Sequence, residues 1–268
     1  KSIACQSKTQ MCIIAVSYRQ HPDYPLLLVA NRDEFLQRPT AAADWWADCP
    51  DLLAGRDLQA GGSWLGVTRG GRVAALTNFR DPAALKPDAP SRGELVSNFL
   101  RGAQAAPEFA AALLPQLPAY NGFNLLLFDG ERLSYVSSTE SRIVTLQPGL
   151  YVVSNHVLDT PWPKVERLKQ GLRAQLAECN LDEAVLFALL ADQETPPDAH
   201  LPDTGVGLEW ERRLASIFVR APGYGTRAST LLRLQRHRAE LVERSFDADG
   251  NSAGERRFHF PLQPAPQA

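Results

Sequence analysis

Met11 and Cys12 raise the first chemical question in this sequence. Met11 is the single methionine of the 268 residues, and Cys12 follows it at the start of the apolar run CIIAV. If translation starts at Met11 and the methionine is removed, Cys12 gains a free α-amine, whose reference pKa of about 7.7–8.0 lies close to neutral pH. One residue would then carry a thiol nucleophile and a base matched to it. The alternative is that Cys12 is a small buried hydrophobic residue at the start of a strand.

Arg32 and Asp33 follow the apolar run LLLVAN, which is the second predicted strand. The turn between the first two strands is short, so we expect this end of the second strand to lie near Cys12. Arg32 would there lower the pKa of the thiol, and Asp33 would accept a hydrogen bond from the α-amine. The alternative is a turn with a surface ion pair.

Three further polar residues stand at the ends of apolar strands. Asn78 ends the run VAALTN, Asn155 ends the run LYVVSN, and Arg227 begins a late strand. Isolated asparagines at such places are usually turn formers. Two asparagines together with two arginines and an aspartate suggest instead a set of donors that converge on a developing oxyanion.

The apolar patterns predict strands, two helices, strands, two helices and strands, in that order. Short turns separate successive strands, which favours antiparallel sheets. We therefore predict an α+β fold of four layers, αββα, with two stacked antiparallel sheets and helices outside. The predicted hairpins join residues 12–18 with 24–31, 62–69 with 72–79, 123–129 with 132–138, 142–146 with 150–155 and 226–235 with 239–247.

The predicted helices cover residues 91–102, 107–117, 161–178 and 181–192. Ser91 and Glu94 have the spacing of a capping box at the first helix start. An Arg92–Glu94 pair is a second expected feature of that start. The segment ADWWADCP, with Trp45 and Trp46 beside Cys49, is expected to be a loop that covers the core or a ligand.

Composition limits the function classes. The chain is 44% hydrophobic and 22% charged with a formal net charge of −2, which does not indicate a nucleic-acid or anionic-membrane surface. No apolar run approaches the roughly 20 residues that span a bilayer. Four cysteines without a CxxC motif suit a reducing compartment, so we predict a cytoplasmic protein. Five scattered histidines without an HExxH motif predict no metal site.

Six segments of the sequence resemble the NRDE protein family, also called the transport and Golgi organisation protein family, and they occur in the same order as in that family. The resemblance extends from Met11 to about Phe246, nearly the whole chain. It is carried by MCIIAV, LVANRDEFLQRPT, GGSWLGVTRGGRVAALTNFRDP, SRGELVSNFL, LYVVSNHVLDTPWPKV and YGTRAST.

This resemblance implies an N-terminal-nucleophile (Ntn) hydrolase-like αββα fold. The family is similar to the cysteine Ntn enzymes that cleave bile-salt conjugates and penicillin V. Cys12 matches their nucleophile, and Asp33 matches the acid that holds the α-amine. The implied catalytic set is Cys12, Arg32, Asp33, Asn78, Asn155 and Arg227. Because those enzymes space the arginine and the aspartate differently, the sequence leaves open which of Arg32 and Asp33 points inward.

The resemblance also implies a domain division. Residues 11–261 form the family domain, residues 1–10 are an extension without a counterpart in the family (upstream sequence, vector residue or a pro-segment), and residues 262–268 are a loose Pro-rich tail. Met11 is expected to be the start of translation and Cys12 the first residue after removal of methionine. If residues 1–10 stay attached, Cys12 has no free amine.

Two function hypotheses follow. The first is a thiol amidohydrolase that cleaves a C–N bond of a small acylated substrate and requires no cofactor. The second is a non-catalytic protein that binds and carries haem or acyl-CoA; a purely structural adaptor is a third, weaker one. The predicted ligand-binding residues are Asn31, Trp45, Trp46, Trp64 and Phe79, and the candidate axial ligands for haem are Cys12, Cys49, His21 and His156. The sequence indicates no oligomeric state.

Overall fold

The computed structural model of the chain describes residues 11–178 and 181–263. The predicted extension 1–10 and the last residues of the predicted tail lie outside the described residues. Within the described part, the chain forms fourteen strands: β1 (Met11–Tyr18), β2 (Leu26–Phe35), β3 (Thr40–Trp46), β4 (Cys49–Asp57), β5 (Leu65–Thr68), β6 (Val73–Asn78), β7 (Phe123–Phe128), β8 (Leu133–Ser137), β9 (Arg142–Leu146), β10 (Gly149–Val153), β11 (Arg220–Ala221), β12 (Tyr224–Leu234), β13 (Arg238–Phe246) and β14 (Ser252–Pro261).

The same residues form five α-helices, which fall mainly in two blocks between the strands. They are α1 (Gly93–Arg101), α2 (Ala106–Leu113), α3 (Pro163–Ala177), α4 (Glu183–Leu190) and α5 (Leu208–Arg213).

The strands build two seven-stranded antiparallel sheets. The first has the order β10-β1-β2-β12-β13-β14, with the short β11 paired to β12. The second has the order β3-β4-β5-β6-β7-β8-β9. Each strand of the second sheet follows its neighbour in sequence, and the connection from β6 to β7 contains α1 and α2.

Three apolar cores separate four layers. Alternate residues of β1, such as Ile14 and Val16, face the second sheet in the central core. Their neighbours Ile13 and Ala15 face α3 and α4, because successive side chains of a strand point to opposite faces. The outer face of the second sheet packs against α1 and α2 in the same manner. The predicted αββα architecture is therefore confirmed.

The hairpin predicted between residues 142–146 and 150–155 is wrong. β9 pairs with β8 at one edge of the second sheet, whereas β10 pairs with β1 at one edge of the first. The connection between them carries the chain across the stack from one sheet to the other. Alternating apolar residues predict a strand, but they do not say which neighbour it pairs with.

The capping box predicted at the start of α1 is also absent. The N-cap position is Arg92, which makes no side-chain capping bond. Glu94 accepts a hydrogen bond from the Tyr120 hydroxyl at 2.7 Å, and Arg92 donates to the Gly122 carbonyl at 2.9 Å. The expected Arg92–Glu94 pair is therefore wrong, because both side chains bind the chain that leads into β7.

The segment with Trp45 and Trp46 belongs to the antiparallel pair β3–β4 rather than to a loop, which corrects the prediction for ADWWADCP. β14, which pairs with β13, was not predicted either. The first two residues of the predicted loose tail are held by the backbone: Leu262 donates to the His237 carbonyl at 2.8 Å, and Gln263 donates to the Arg69 carbonyl at 2.8 Å.

Candidate active site

A cleft of about 350 Å³ opens where β1 begins and β2 ends, between the two sheets. Because β2 runs antiparallel to β1, its last residues lie beside the first residues of β1: Cys12 pairs with Arg32 and Met11 with Asp33. The start of α1 forms the facing wall. Five of the predicted site residues line this cleft: Cys12, Arg32, Asp33, Trp64 and Asn78.

Cys12 lies at the floor of the cleft, with 8% of its surface exposed. It has the same strand phase as Ile14 and Val16, so its side chain faces the space between the sheets. Burial raises the pKa of the thiol to about 12, and the nearby Asp33 carboxylate adds to this effect. A backbone hydrogen bond from Asp33 and the charge of Arg32 both lower the thiol pKa, but they do not cancel the rise that burial causes.

Arg32 projects into the cleft from the position opposite Cys12. Its guanidinium lies 4.2 Å from the ring centroid of Trp64, a cation–π arrangement. One nitrogen donates to Thr40 Oγ1 at 3.1 Å, and another lies 3.5 Å from Glu34 Oε2. These contacts fix the guanidinium beside the thiol. The predicted effect of Arg32 on the thiol pKa has the right direction, but burial outweighs it.

Asp33 is 2% exposed, and its two carboxylate oxygens have different surroundings. Oδ1 accepts a hydrogen bond of 2.6 Å from the Thr226 hydroxyl. Oδ2 is buried and has no hydrogen-bond partner among the described residues. Burial raises the Asp33 pKa to about 7, and the charge of Lys164 is the largest effect that opposes the rise. An unused buried acceptor thus lies beside the backbone of Met11 and Cys12.

Asn78 and Asn155 join the two sheets behind the cleft. Asn78 ends β6 of the second sheet and lines the cleft. Asn155 follows β10 of the first sheet, and its Nδ2 donates to the Asn78 carbonyl at 2.9 Å. Its Oδ1 accepts from the Ser154 hydroxyl at 3.1 Å, and that hydroxyl also donates to the Cys12 carbonyl at 3.0 Å. Asn155 therefore positions the backbone around Cys12 and is not part of the cleft wall.

Arg227 does not reach the cleft wall. It occupies a β-bulge in β12, where the register with β2 shifts between Thr226 and Ala228. Its guanidinium donates to the backbone carbonyls of Phe35 and Leu36 at 3.2 and 3.0 Å. The bulge aims the Thr226 hydroxyl at Asp33. Arg227 thus holds the end of β2 in place.

Two other predicted ligand-binding residues are used within the fold. Asn31 is 1% exposed and donates to the carbonyls of Leu190 and Ile217, so it ties β2 to the helical layer. Phe79 follows β6 and stacks against His156 with a centroid distance of 5.0 Å. Neither lines the cleft.

Trp45 and Trp46 do not line the cleft, and their side chains lie on opposite faces of β3. Trp45 packs against Phe260 at a centroid distance of 4.9 Å. Trp46 is buried against the α1–α2 layer, and its Nε1 donates to the Ala54 carbonyl at 3.0 Å. Their side chains are core residues rather than a lid over a ligand.

The four candidate haem ligands lie in four different places. Cys12 is in the cleft, whereas Cys49 borders the core under α1 and α2. His21 lies in the turn between β1 and β2, at the other end of both strands, and stacks on Tyr24. His156 pairs with Thr160 at 2.9 Å. Among the described residues, no group of three or more histidine, cysteine or acidic side chains could hold a metal ion.

Sequence reasoning missed Lys164, which is 2% exposed at the start of α3. The sequence does contain a pattern that indicates burial of Lys164, because Lys164 shares a helical face with Leu168 and Leu172 at spacings of four. A lysine on that apolar stripe indicates a buried ammonium group. Arg92 was also missed as a cleft residue: burial lowers its pKa to about 10, and the charges of Glu34 and Cys12 act on it.

A second cleft, of about 490 Å³, lies at the opposite end of β12. Arg233, Glu240 and His259 contribute to its lining, and Arg233 pairs with Glu240 at 3.0 Å. The cleft lined by Cys12 has the smaller volume, but it has a nucleophile and a buried carboxylate. It is therefore the candidate active site.

The family model described as Transport and Golgi organisation 2 matches residues 11–248 of the chain. The chain belongs to this family. The match begins at Met11 and includes the segments of the cleft, which confirms the resemblance found in the sequence.

Several curated members of the Transport and Golgi organisation 2 family are similar to the chain over most of their length. The Transport and Golgi organization protein 2 homolog of Homo sapiens is 36% identical over 276 residues, which covers 94% of this chain and 100% of the relative. The Transport and Golgi organization protein 2 of Drosophila melanogaster is 28% identical over 251 residues, 83% of this chain and 87% of the relative.

Two solved structures also resemble this member of the family, at low sequence identity. A mutant conjugated bile acid hydrolase from Clostridium perfringens is 9% identical, with a TM-score of 0.48 over 96% of this chain and 99% of that chain. The N-acylethanolamine-hydrolyzing acid amidase ortholog of Caenorhabditis elegans is 12% identical, with a TM-score of 0.44 over 83% and 92%. Separately, none of the helices in the described part of the chain has the length and apolar character needed to cross a bilayer.

Proposed function

We propose that the protein is an N-terminal-cysteine hydrolase that cleaves the C–N bond of a small acylated amide once Cys12 is the first residue. The observation that carries the proposal is the place of Asp33. Asp33 pairs with Met11 in the β1–β2 ladder, and its buried Oδ2 has no partner among the described residues. An α-amine at Cys12 would take the place of the Met11–Cys12 peptide bond, next to that acceptor.

The free amine would change the chemistry of the thiol. Within a longer chain, the Cys12 nitrogen is an amide that cannot accept a proton, and the buried thiol has a pKa of about 12. An α-amine with a reference pKa of about 7.7–8.0 is a base at neutral pH. Its protonated form is a cation next to the sulfur, which favours the thiolate.

The reaction then runs in two halves. The α-amine takes the proton from the thiol, and the sulfur attacks the amide carbonyl carbon to form a tetrahedral intermediate. The intermediate collapses as the C–N bond breaks, and the ammonium gives its proton to the leaving amine. Water, deprotonated by the α-amine, then attacks the thioester and releases the carboxylic acid and the thiol. In this proposal Asn78, which lines the cleft, would donate a hydrogen bond to the oxyanion, and Arg32 would contribute a positive charge to the same cleft.

The alternative is a non-catalytic protein that binds haem or acyl-CoA. The separation of Cys12, Cys49, His21 and His156 gives haem no pair of axial ligands, so the residues do not fit a doubly ligated haem. An acyl-CoA would have cationic groups to bind in the cleft wall, which contains Arg32, Arg38 and Arg92. Arg38 is already paired with Asp57 at 2.7 Å.

The test is made on untagged protein expressed from Met11. Intact mass shows whether methionine is removed, and a panel of N-acyl amides that vary in acyl length and in amine charge is then assayed for release of the amine. Cys12→Ala should abolish turnover, and Cys49→Ala is the matched control that should retain it. Loss of methionine without turnover of any amide, together with acyl-CoA binding that survives Cys12→Ala, would instead favour the carrier.

A further inference from the structure

Lys164 is a buried cation that the proposed reaction does not use. Its side chain leaves the first turn of α3 and is 2% exposed. Its Nζ donates to the Leu214 carbonyl at 3.0 Å. Burying an ammonium group costs several kcal/mol unless an opposite charge compensates it. A carboxylate in the same region would offset this cost for the charged form of Lys164.

Hydrogen bonds connect both Lys164 and Asp33 to the segment 214–219. Lys164 binds the carbonyl at one end of the segment, at Leu214. At the other end, the Val219 N–H donates to Thr226 Oγ1 at 2.9 Å, and the same hydroxyl donates to Asp33. Lys164 and Asp33 are thus anchored to the two ends of the same short segment.

Two carboxylates act on the Lys164 charge, Asp33 and Glu211. Glu211 is already compensated, because its Oε2 lies 2.6 Å from Arg80 and its Oε1 accepts two bonds from Thr204. Asp33 has an unused oxygen. Among the described residues, no carboxylate forms an ion pair with Lys164 within 4.0 Å, so the attraction to Asp33 acts across a gap.

The directions of the pKa shifts of both groups agree with this arrangement. Burial raises the Asp33 pKa to about 7 and lowers the Lys164 pKa to about 7. The charge of Lys164 is the largest effect that keeps Asp33 from rising further. The other charged groups that act on this pair are Arg32 and Glu34 from β2, Cys12 from β1, Arg80 after β6 and Glu211 from α5.

We propose that Lys164 is a positioning residue whose buried ammonium favours the carboxylate form of Asp33, so that Asp33 can bind the α-amine of Cys12. The role rests on the proposed function, but its electrostatic part belongs to the folded chain alone. Lys164 does not line the cleft that contains the thiol, and Asp33 is the carboxylate that acts on it most strongly. Loss of the charge should therefore act on Asp33 first.

The test follows the Asp33 carboxyl carbon by NMR in protein labelled with ¹³C-aspartate, and Asp33→Asn assigns the signal. Lys164→Met keeps the length of the side chain and removes the charge, while Lys164→Arg keeps the charge. We expect Lys164→Met to raise the midpoint of the Asp33 titration by about one pH unit or more. Lys164→Arg, which stays charged, should leave the midpoint at or below the wild-type value. Equal midpoints in all three proteins would overturn the proposal.

A second measurement on the wild-type protein keeps the test decisive if Lys164→Met does not fold. The side-chain ¹³Cε signal of Lys164 should show an inflection in the pH range in which Asp33 titrates. A Lys164 signal without that inflection would overturn the proposal.

The titration separates this inference from the proposed function. A shifted Asp33 midpoint in protein without amidase activity supports the electrostatic role and contradicts the hydrolase. Amidase activity together with an unchanged Asp33 midpoint in Lys164→Met would support the hydrolase and contradict the electrostatic role of Lys164. In active protein, Lys164→Met should move the acidic limb of the pH–rate profile to higher pH, a change that a purely structural role would not produce.

Discussion

Cys12 and Arg32 face each other across the β1–β2 ladder and project their side chains into the same cleft, while Asp33, the next residue of β2, is turned toward the helical layer. Adjacent residues of a strand point to opposite faces. Arg32 and Asp33 thus border the cleft from opposite faces of β2, and two further carboxylates, Glu34 and Asp57, also line it. Asp33 reaches the region of the Cys12 backbone because it lies where β1 begins.

This arrangement predicts how fast Cys12 reacts with iodoacetamide. With residues 1–11 attached, a thiol pKa of about 12 leaves very little thiolate at pH 7.5. In protein expressed from Met11 with methionine removed, the adjacent ammonium should increase the alkylation rate at Cys12 at least about tenfold. Peptide mapping by mass spectrometry measures the rate, and Cys49 is the internal reference. Equal rates in the two proteins would count against an activated N-terminal thiol.

The raised pKa of Asp33 predicts a pH dependence of stability. The carboxyl binds its proton more tightly in the folded state, with a pKa of about 7, than in the unfolded chain, with a pKa of about 3.8. Its contribution to the free energy of unfolding therefore falls as pH rises from about 4 to about 7. Lys164, whose folded pKa is lowered from 10.5 to about 7, contributes the opposite slope above pH 7.

Asp33→Asn should remove the decrease in unfolding free energy between pH 4 and 7. The amide oxygen can still accept a hydrogen bond from Thr226, but the amide does not titrate. The stability of the variant relative to wild type should increase between pH 4 and 7, by at most about 1.4 kcal/mol per pH unit. Urea unfolding at several pH values measures it, with Asp51→Asn at an exposed carboxylate as the control. Parallel curves for Asp33→Asn and wild type across this window would contradict the prediction.

The fold could be predicted from the sequence because the apolar periods are strong and the turns between strands are short. Ile13 to Val16 alternate between two cores, and such alternation fixes the two faces of a strand. The strands with which β9 and β10 pair could not be predicted from the sequence. Their pairing depends on which edge of each sheet is vacant, and that is decided by the packing of the whole stack rather than by residues 142–153.

The candidate site was predicted in part for a similar reason. Cys12, Arg32 and Asp33 lie on paired strands, so a short turn is enough to bring them together. Arg227 and Asn155 also lie near the site, but their side chains bind backbone carbonyls. Residue type and strand position do not show whether a donor faces a cleft or a carbonyl.

Breaking the buried ion pair of Arg80 and Glu211, which lies outside the cleft with the thiol, should lower the free energy of unfolding strongly. Their side chains are 2% and 3% exposed and 2.6 Å apart. Arg80→Met would leave Glu211 buried without its cation and should cost about 3–5 kcal/mol of unfolding free energy. The matched control is Arg212→Met, which breaks an exposed pair with Asp198 and should cost less than about 1 kcal/mol. Similar losses for both variants in urea unfolding would show that burial does not set the effect.

The backbone of Gly62 packs closely against the start of α1, which forms part of the cleft wall. A Cβ atom at Gly62 would lie 2.4 Å from the carbonyl carbon of Gly93 and 2.8 Å from the amide nitrogen of Glu94, at the start of α1. Backbone atoms cannot move aside as a side chain can. Gly62→Ala should therefore displace the start of α1, where Arg92 and Gly93 line the cleft, and should destabilise the protein by about 1–3 kcal/mol or more.

Gly70→Ala is the control for this variant, since its added Cβ would lie 3.7 Å from Thr68 Oγ1, an ordinary contact. Its unfolding free energy should stay within about 0.5 kcal/mol of wild type. Urea unfolding compares the two variants, and the alkylation rate of Cys12 reports on the cleft in the same samples. If Gly62→Ala were as stable as Gly70→Ala and left that rate unchanged, the close approach of the Gly62 backbone to α1 would not be what holds the cleft wall in place.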